Sequence, residues 1–235
     1  MHTARNVQQA LREYADPKRA EHALRFFKTG KGAYGEGDRF FGATVPEVRR
    51  VAKIYGTLAL EETVTLLQSS WHEDRLCALI LLTACVERGG RAEGDAAAEA
   101  YLAHLASVNN WDLVDTSAAP VLGPYFSRHQ KAPLFRMARS RNMWKRRVAM
   151  ITTLWWIRQG KFTDALRVAQ MLLHDKEDLI HKAVGWMLRE VGKRSRDAEE
   201  AFLLKHYHTM PRTMLRCAIE LFPDRRRQAY LAGSV

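Results

Sequence analysis

A chain of 235 residues, 47% of them apolar, can bury a full core, and its length calls for no more than one domain. Its 37 Lys and Arg against 26 Asp and Glu give a net charge of +11, which favours polyanionic partners. Neither a membrane span nor a secretory leader is expected, since no apolar run reaches 18 residues and the N-terminus MHTARNVQQALREYA is amphipathic without the apolar core of a signal peptide; three cysteines without a CxxC pair (Cys77, Cys85, Cys217) fit a reducing cytosol.

Helical periodicity dominates, and no convincing alternating strand is present. It predicts helices over 4–15, 17–29, 46–55, 59–69, 72–88, 95–107, 111–126, 131–140, 143–159, 162–173, 177–194, 197–208 and 212–221. Asp16 before Pro17, Asn110 before Trp111 and Asn142 before Met143 are short polar groups suited to accept the free N–H bonds of a helix start, and Gly89-Gly90 ends the fifth helix. Cys77 and Cys85 share that helix about 12 Å apart, too far to bridge. Between the second and third helices, Gly30-Lys31-Gly32-Ala33-Tyr34-Gly35 spells GxGxxG, but it follows a helix and not a strand, so a dinucleotide site is rejected. The segment reads either as a loop whose Lys31, Tyr34 and Arg39 fold over a ligand or nucleic acid, or as a plain connector.

Arg75, Asp115, Arg147, Lys182 and Arg216 each open a run of small and apolar residues, at intervals of 40, 32, 35 and 34. Those intervals suit helix pairs of the HEAT type, each burying its face on the next. The expected fold is therefore all-α: an α-α superhelix, a curved solenoid of helix pairs forming one domain over 1–235, with a plain helical bundle as the alternative. Such a stack offers a concave groove lined by the second helix of each pair. Residues 131–196 hold 16 Lys and Arg against 5 Asp and Glu, a surplus equal to the charge of the whole chain. The positive face should lie there.

Trp111 and Asp115 lie one turn apart on a predicted helix and so share a face, joining an aromatic ring to a carboxylate, both of which favour positive charge. Asp112 and Asp115 also suit a helix start, where the dipole favours acids. Asp112 is expected to do only that. On the helix from 177, Lys182, Arg189 and Lys193 form a narrow stripe opposite the apolar half, with Trp186 at the boundary; the plainer reading makes Trp186 a cap on the core edge and the cations a solvated face. Arg147 falls inside the apolar stripe Trp144, Val148, Ile151, Leu154 and Trp155, so it must pair with a carboxylate, a carbonyl or a phosphate. An Asp of the preceding repeat, Asp115 included, is one candidate. Lys145 and Arg146 point elsewhere, toward solvent or DNA. Nine histidines show no metal spacing, and no nucleophile-base arrangement is assignable.

With these blocks in hand, Asn110-Trp111-Asp112-Leu113-Val114-Asp115 and Ala183-Val184-Gly185-Trp186-Met187-Leu188-Arg189-Glu190 above all, the chain resembles the bacterial AlkD-like family of DNA alkylation repair glycosylases, over nearly its whole length. The resemblance implies excision of cationic N3- and N7-alkylated purines from double-stranded DNA by cleavage of the N-glycosidic bond. It implies Asp115 as the catalytic carboxylate, Trp111 and Trp186 against the lesion deoxyribose and its backbone, and Arg147 serving the DNA or the carboxylate. Lys145, Arg146, Lys182, Arg189 and Lys193 are expected to bind phosphates. Neither a metal nor another cofactor is expected, and the expected setting is a monomer at the nucleoid of a bacterial cytoplasm. Phe26, Thr44 and Trp155 depart from residues found in relatives (tyrosine, glutamine and lysine). A non-catalytic scaffold for damaged or branched DNA would need the basic groove without Asp115, and a protein adaptor would show an exposed apolar patch in place of the cationic stripe.

Overall fold

The computed structural model describes residues 2–235. The described residues are helical, with no β-strand and a single bridge between Arg39 and Trp71. The chain divides into two compact units, one ending at Val121 and the other beginning at Leu122.

The first unit contains α1 (Ala4–Arg12), α2 (Pro17–Phe26), α3 (Val45–Ile54), α4 (Leu60–Leu67), α5 (His72–Arg88), α6 (Arg91–Ala103) and the start of α7 (Trp111–Arg128). Alternate helices pack side by side: α1 on α3, and α3 on α5, with α5 also against α4 and α6. The caps form as the sequence predicts. The Asp16 carboxylate accepts from the Lys18 and Arg19 N–H groups, and Asn110 Oδ1 accepts from the Trp111 N–H at 2.9 Å. Helix α6 begins at Arg91, ahead of the predicted start at 95, because Gly89 ends one helix and Gly90 caps the next while Gly94 stays helical.

Between α2 and α3 the glycine loop is anchored at its far end. Glu73 is buried and accepts from the Phe41 and Gly42 N–H groups at 3.1 and 2.7 Å, while the His72 N–H donates to the Arg39 carbonyl at 2.8 Å. Gly42 has φ +92°, and a Cβ there would sit 2.2 Å from the Asp16 carbonyl oxygen, so only glycine lets the loop return onto α2.

The second unit contains the end of α7 and α8 (Ala132–Ala138), α9 (Met143–Thr152), α10 (Leu154–Ile157), α11 (Thr163–Met171), α12 (Asp178–Gly192), α13 (Arg196–His206), α14 (Arg212–Ala218) and α15 (Asp224–Ala232). Here successive helices pair: α8 packs with α9, α11 with α12, and α12 on both α9 and α14. Gly185 permits the closest of these approaches, since a Cβ would fall 2.5 Å from Cys217 Cβ and 2.6 Å from the Met214 carbonyl oxygen. The predicted helix 143–159 is broken at Thr153. Thr152 and Thr153 turn their hydroxyls back to the Val148 and Met150 carbonyls, both at 2.7 Å, competing with the regular ladder. Helix α15 was not predicted, because Asp224-Arg-Arg-Arg-Gln carries no apolar stripe and only Tyr230 of the helix is buried.

Candidate functional site

Trp111 opens α7 half-buried, and its indole rests on a stack of rings in the first unit. Phe27 lies against it with centroids 5.4 Å apart and planes 29° from parallel, and Phe26, 56% exposed, meets it edge-on at 5.9 Å. The stack continues through Phe27 on Phe40 (5.0 Å, 10°) and Phe40 on the His72 imidazole (4.4 Å, 25°). One turn along α7, Asp115 is half-buried. Burial raises the pKa of the Tyr101 phenol; its hydrogen bond with Ser117 (3.1 Å) opposes that shift, and the negative charge of Asp115 adds to it.

Beneath Trp111 lies a buried charge network that the sequence reading missed. His72 Nδ1 is 2.8 Å from Asp38 Oδ2, and His72 Nε2 is 2.8 Å from Asp112 Oδ2. Arg75 donates to Asp38 Oδ1 at 2.5 Å, and Asn110 Nδ2 to Asp38 Oδ2 at 3.2 Å. Burial opposes a charge on His72, but its hydrogen bonds to Asp112 and Asp38 outweigh it and raise the pKa to about 9. For Asp38, burial is likewise outweighed, by His72 and then Arg75, and its pKa falls to about 2. Asp112 thus does more than complement the helix dipole. The available signal was the run His72-Glu73-Asp74-Arg75: four consecutive titratable residues cannot all face water when the rest of the helix is apolar, and here all four are buried.

In the second unit, Arg147 is 5% exposed, in the apolar stripe where it was expected, and donates to the Leu179 carbonyl at 2.5 Å. It therefore ties α9 to the start of α12. Arg146, expected among the phosphate-binding cations, is instead engaged by Asp175 at 2.6 and 3.1 Å and by the Ser140 and Arg141 carbonyls at 2.9 Å. Trp186 is half-buried beside Gly185. Lys182 pairs with Asp178 at 2.7 Å, Lys193 with Glu190 at 2.5 Å, and Arg189 with Glu220. Lys182 and Lys193 are exposed, and their pairs link residues three or four apart on one helix, so the side chains can exchange a carboxylate for a phosphate at little cost. Lys145 is half-buried and forms no ion pair among the described residues.

No group of three or more His, Cys, Asp or Glu among the described residues is placed to hold a metal ion. No described helix is long and apolar enough to cross a membrane.

The sequence model of the DNA alkylation repair enzyme family matches residues 7–222. The chain belongs to that family. A protein described as a predicted DNA alkylation repair enzyme from Enterococcus faecalis shares the fold, with a TM-score of 0.67 over 89% of this chain and 97% of that one, at 19% sequence identity. No curated protein sequence matches. Membership of a DNA alkylation repair family makes DNA the partner and repair the role, and the blocks around Trp111 and Trp186 lie inside the matched span.

Proposed function

We propose that this chain is a DNA glycosylase that removes cationic N3- and N7-alkylated purines from double-stranded DNA, with Asp115 as the catalytic carboxylate. The observation that carries the reading is the placement of Asp115, half-buried, one helical turn from a tryptophan seated on a ring stack. A quaternised purine is already a good leaving group and needs no acid. The enzyme must instead stabilise the positive charge that grows on deoxyribose as the glycosidic bond breaks. A carboxylate about 4 Å from that charge contributes on the order of 4 kcal/mol at an effective dielectric of about 20, roughly a thousandfold in rate.

Trp111 presents an indole face to the sugar-phosphate backbone at the lesion, and Trp186 takes the corresponding role in the second unit. Arg147 serves the DNA or the carboxylate. Lys145, Lys182, Arg189 and Lys193 supply phosphate contacts, whereas Arg146 acts mainly through its clamp on Asp175. The chemistry calls for no metal or other cofactor, and the chain is taken to act as a monomer and as one domain of HEAT-like helix pairs at the bacterial nucleoid.

Single-turnover release of 7-methylguanine from duplex DNA tests the proposal. Asp115→Asn should slow release by roughly two to three orders of magnitude, since an amide dipole retains only part of the stabilisation. Uracil should be a poor substrate, because nothing in this scheme protonates a neutral leaving base. Equal rates for wild type and Asp115→Asn would eliminate the carboxylate mechanism, and no release by wild type would leave a DNA-binding scaffold as the better account.

A further inference from the structure

His72 is 2% exposed and has a carboxylate at each ring nitrogen. Two acceptors at 2.8 Å can both be satisfied only if both nitrogens carry protons, that is, by the imidazolium. The two carboxylates are not equally dependent on it. Asp38 also accepts from Arg75 and Asn110, so it keeps partners without His72. Asp112 relies on His72: its Oδ1 is buried and accepts no hydrogen bond among the described residues. Loss of the His72 charge therefore strands Asp112, which lies next to Trp111 and three residues before Asp115. A second route starts from the other side of the same ring system, where His72 supports Phe40, Phe40 supports Phe27, and Phe27 supports the Trp111 indole.

We propose that His72, in its doubly protonated form, is a positioning residue that holds Trp111 and Asp115 in working orientation, through Asp112 on one side and through the ring stack on the other. The inference rests on the glycosylase reading of Trp111 and Asp115. Around His72 the charged groups are Asp38 from the glycine loop, Asp112 from α7, and Glu73 and Arg75 from its own helix. The three acids outnumber the one base, so the cation persists at neutral pH, and it is given up only as pH passes about 9. Nothing in this role requires His72 to touch DNA.

The test compares wild type, His72→Gln and Asp112→Asn. Glutamine has a single amide group and cannot donate along both imidazole directions, and Asp112→Asn removes the carboxylate charge from the same link, leaving at most a neutral hydrogen bond, while the Asp38–Arg75 pair stays intact. Three measurements are made: single-turnover 7-methylguanine release across pH, affinity for unmodified duplex DNA, and the 19F spectrum of protein labelled with 5-fluorotryptophan, with the Trp111 signal identified by Trp111→Phe. Both variants should lose roughly ten- to a hundredfold in release rate while DNA affinity is unchanged, as expected for misplacement of a reacting group by about an ångström. The Trp111 signal should move in both. Wild-type release should fall above about pH 9, and His72→Gln should lack that alkaline limb. An unchanged rate together with an unmoved Trp111 signal in a folded variant overturns the proposal. If His72→Gln does not fold, Asp112→Asn decides alone. If wild type releases no base, the glycosylase reading fails, and the Trp111 signal still shows whether His72 positions that ring.

Discussion

Replacing Glu199 by glutamine should stabilise the protein in a strongly pH-dependent way. Glu199, on α13, is 1% exposed; its Oε1 has no hydrogen bond among the described residues, and the nearest cation is Arg196, 3.8 Å from Oε2. The carboxyl fills the space left by the missing side chain of Gly192, where a Cβ would collide with it. Burial pushes the pKa from 4.5 to about 8, against the attraction of Arg196, with Glu200 adding to the shift. An acid whose pKa is raised on folding binds more protons in the native state than in the unfolded one. Its favourable contribution is complete below about pH 4.5 and is lost as pH climbs through about 8. At about 1.4 kcal/mol per pKa unit, that shift corresponds to about 5 kcal/mol in all, of which about 4 kcal/mol is lost between the two limits of this window. Glutamine has nearly the same shape and no proton to lose, so Glu199→Gln should match wild type near the lower limit and exceed it by about that amount near the upper one. Urea unfolding followed by circular dichroism at both ends of the window measures the difference. Parallel pH profiles for the two proteins would refute the reasoning, because they would mean that the carboxyl is solvated or paired.

Two further outcomes follow from the fold and its charge. Gly185→Ala should cost about 1–3 kcal/mol in unfolding free energy, because its Cβ would push into the Met214 carbonyl and Cys217 and the α12–α14 contact would have to open; unchanged stability would show that this contact yields freely. Duplex DNA affinity should fall steeply with salt, by about 0.9 logarithmic units per logarithmic unit of salt for each phosphate contact, and Lys182→Ala or Lys193→Ala should each reduce that slope by about one contact; binding insensitive to salt would contradict a phosphate-reading surface.

The all-helical fold was legible in the sequence because each helix carries its own period of apolar residues and its own cap, and these are local properties. Asp16, Asn110 and Asn142 cap where their short polar side chains predict. The position of Arg147 was legible for a similar reason: a guanidinium inside an apolar stripe must be buried, and it is. That the Leu179 carbonyl is one of its partners was not, since it lies 32 residues away and belongs to the next helix pair. The same limit hid the pairing of Arg146 with Asp175, 29 residues away. It also hid the purpose of Asp112, which a helix start explains well enough until His72, 40 residues earlier, supplies its partner. Charge and periodicity are written along the chain and survive without tertiary structure. Which carboxylate meets which cation, and hence which charged residues remain available for DNA, depends on distances between helices that only packing creates.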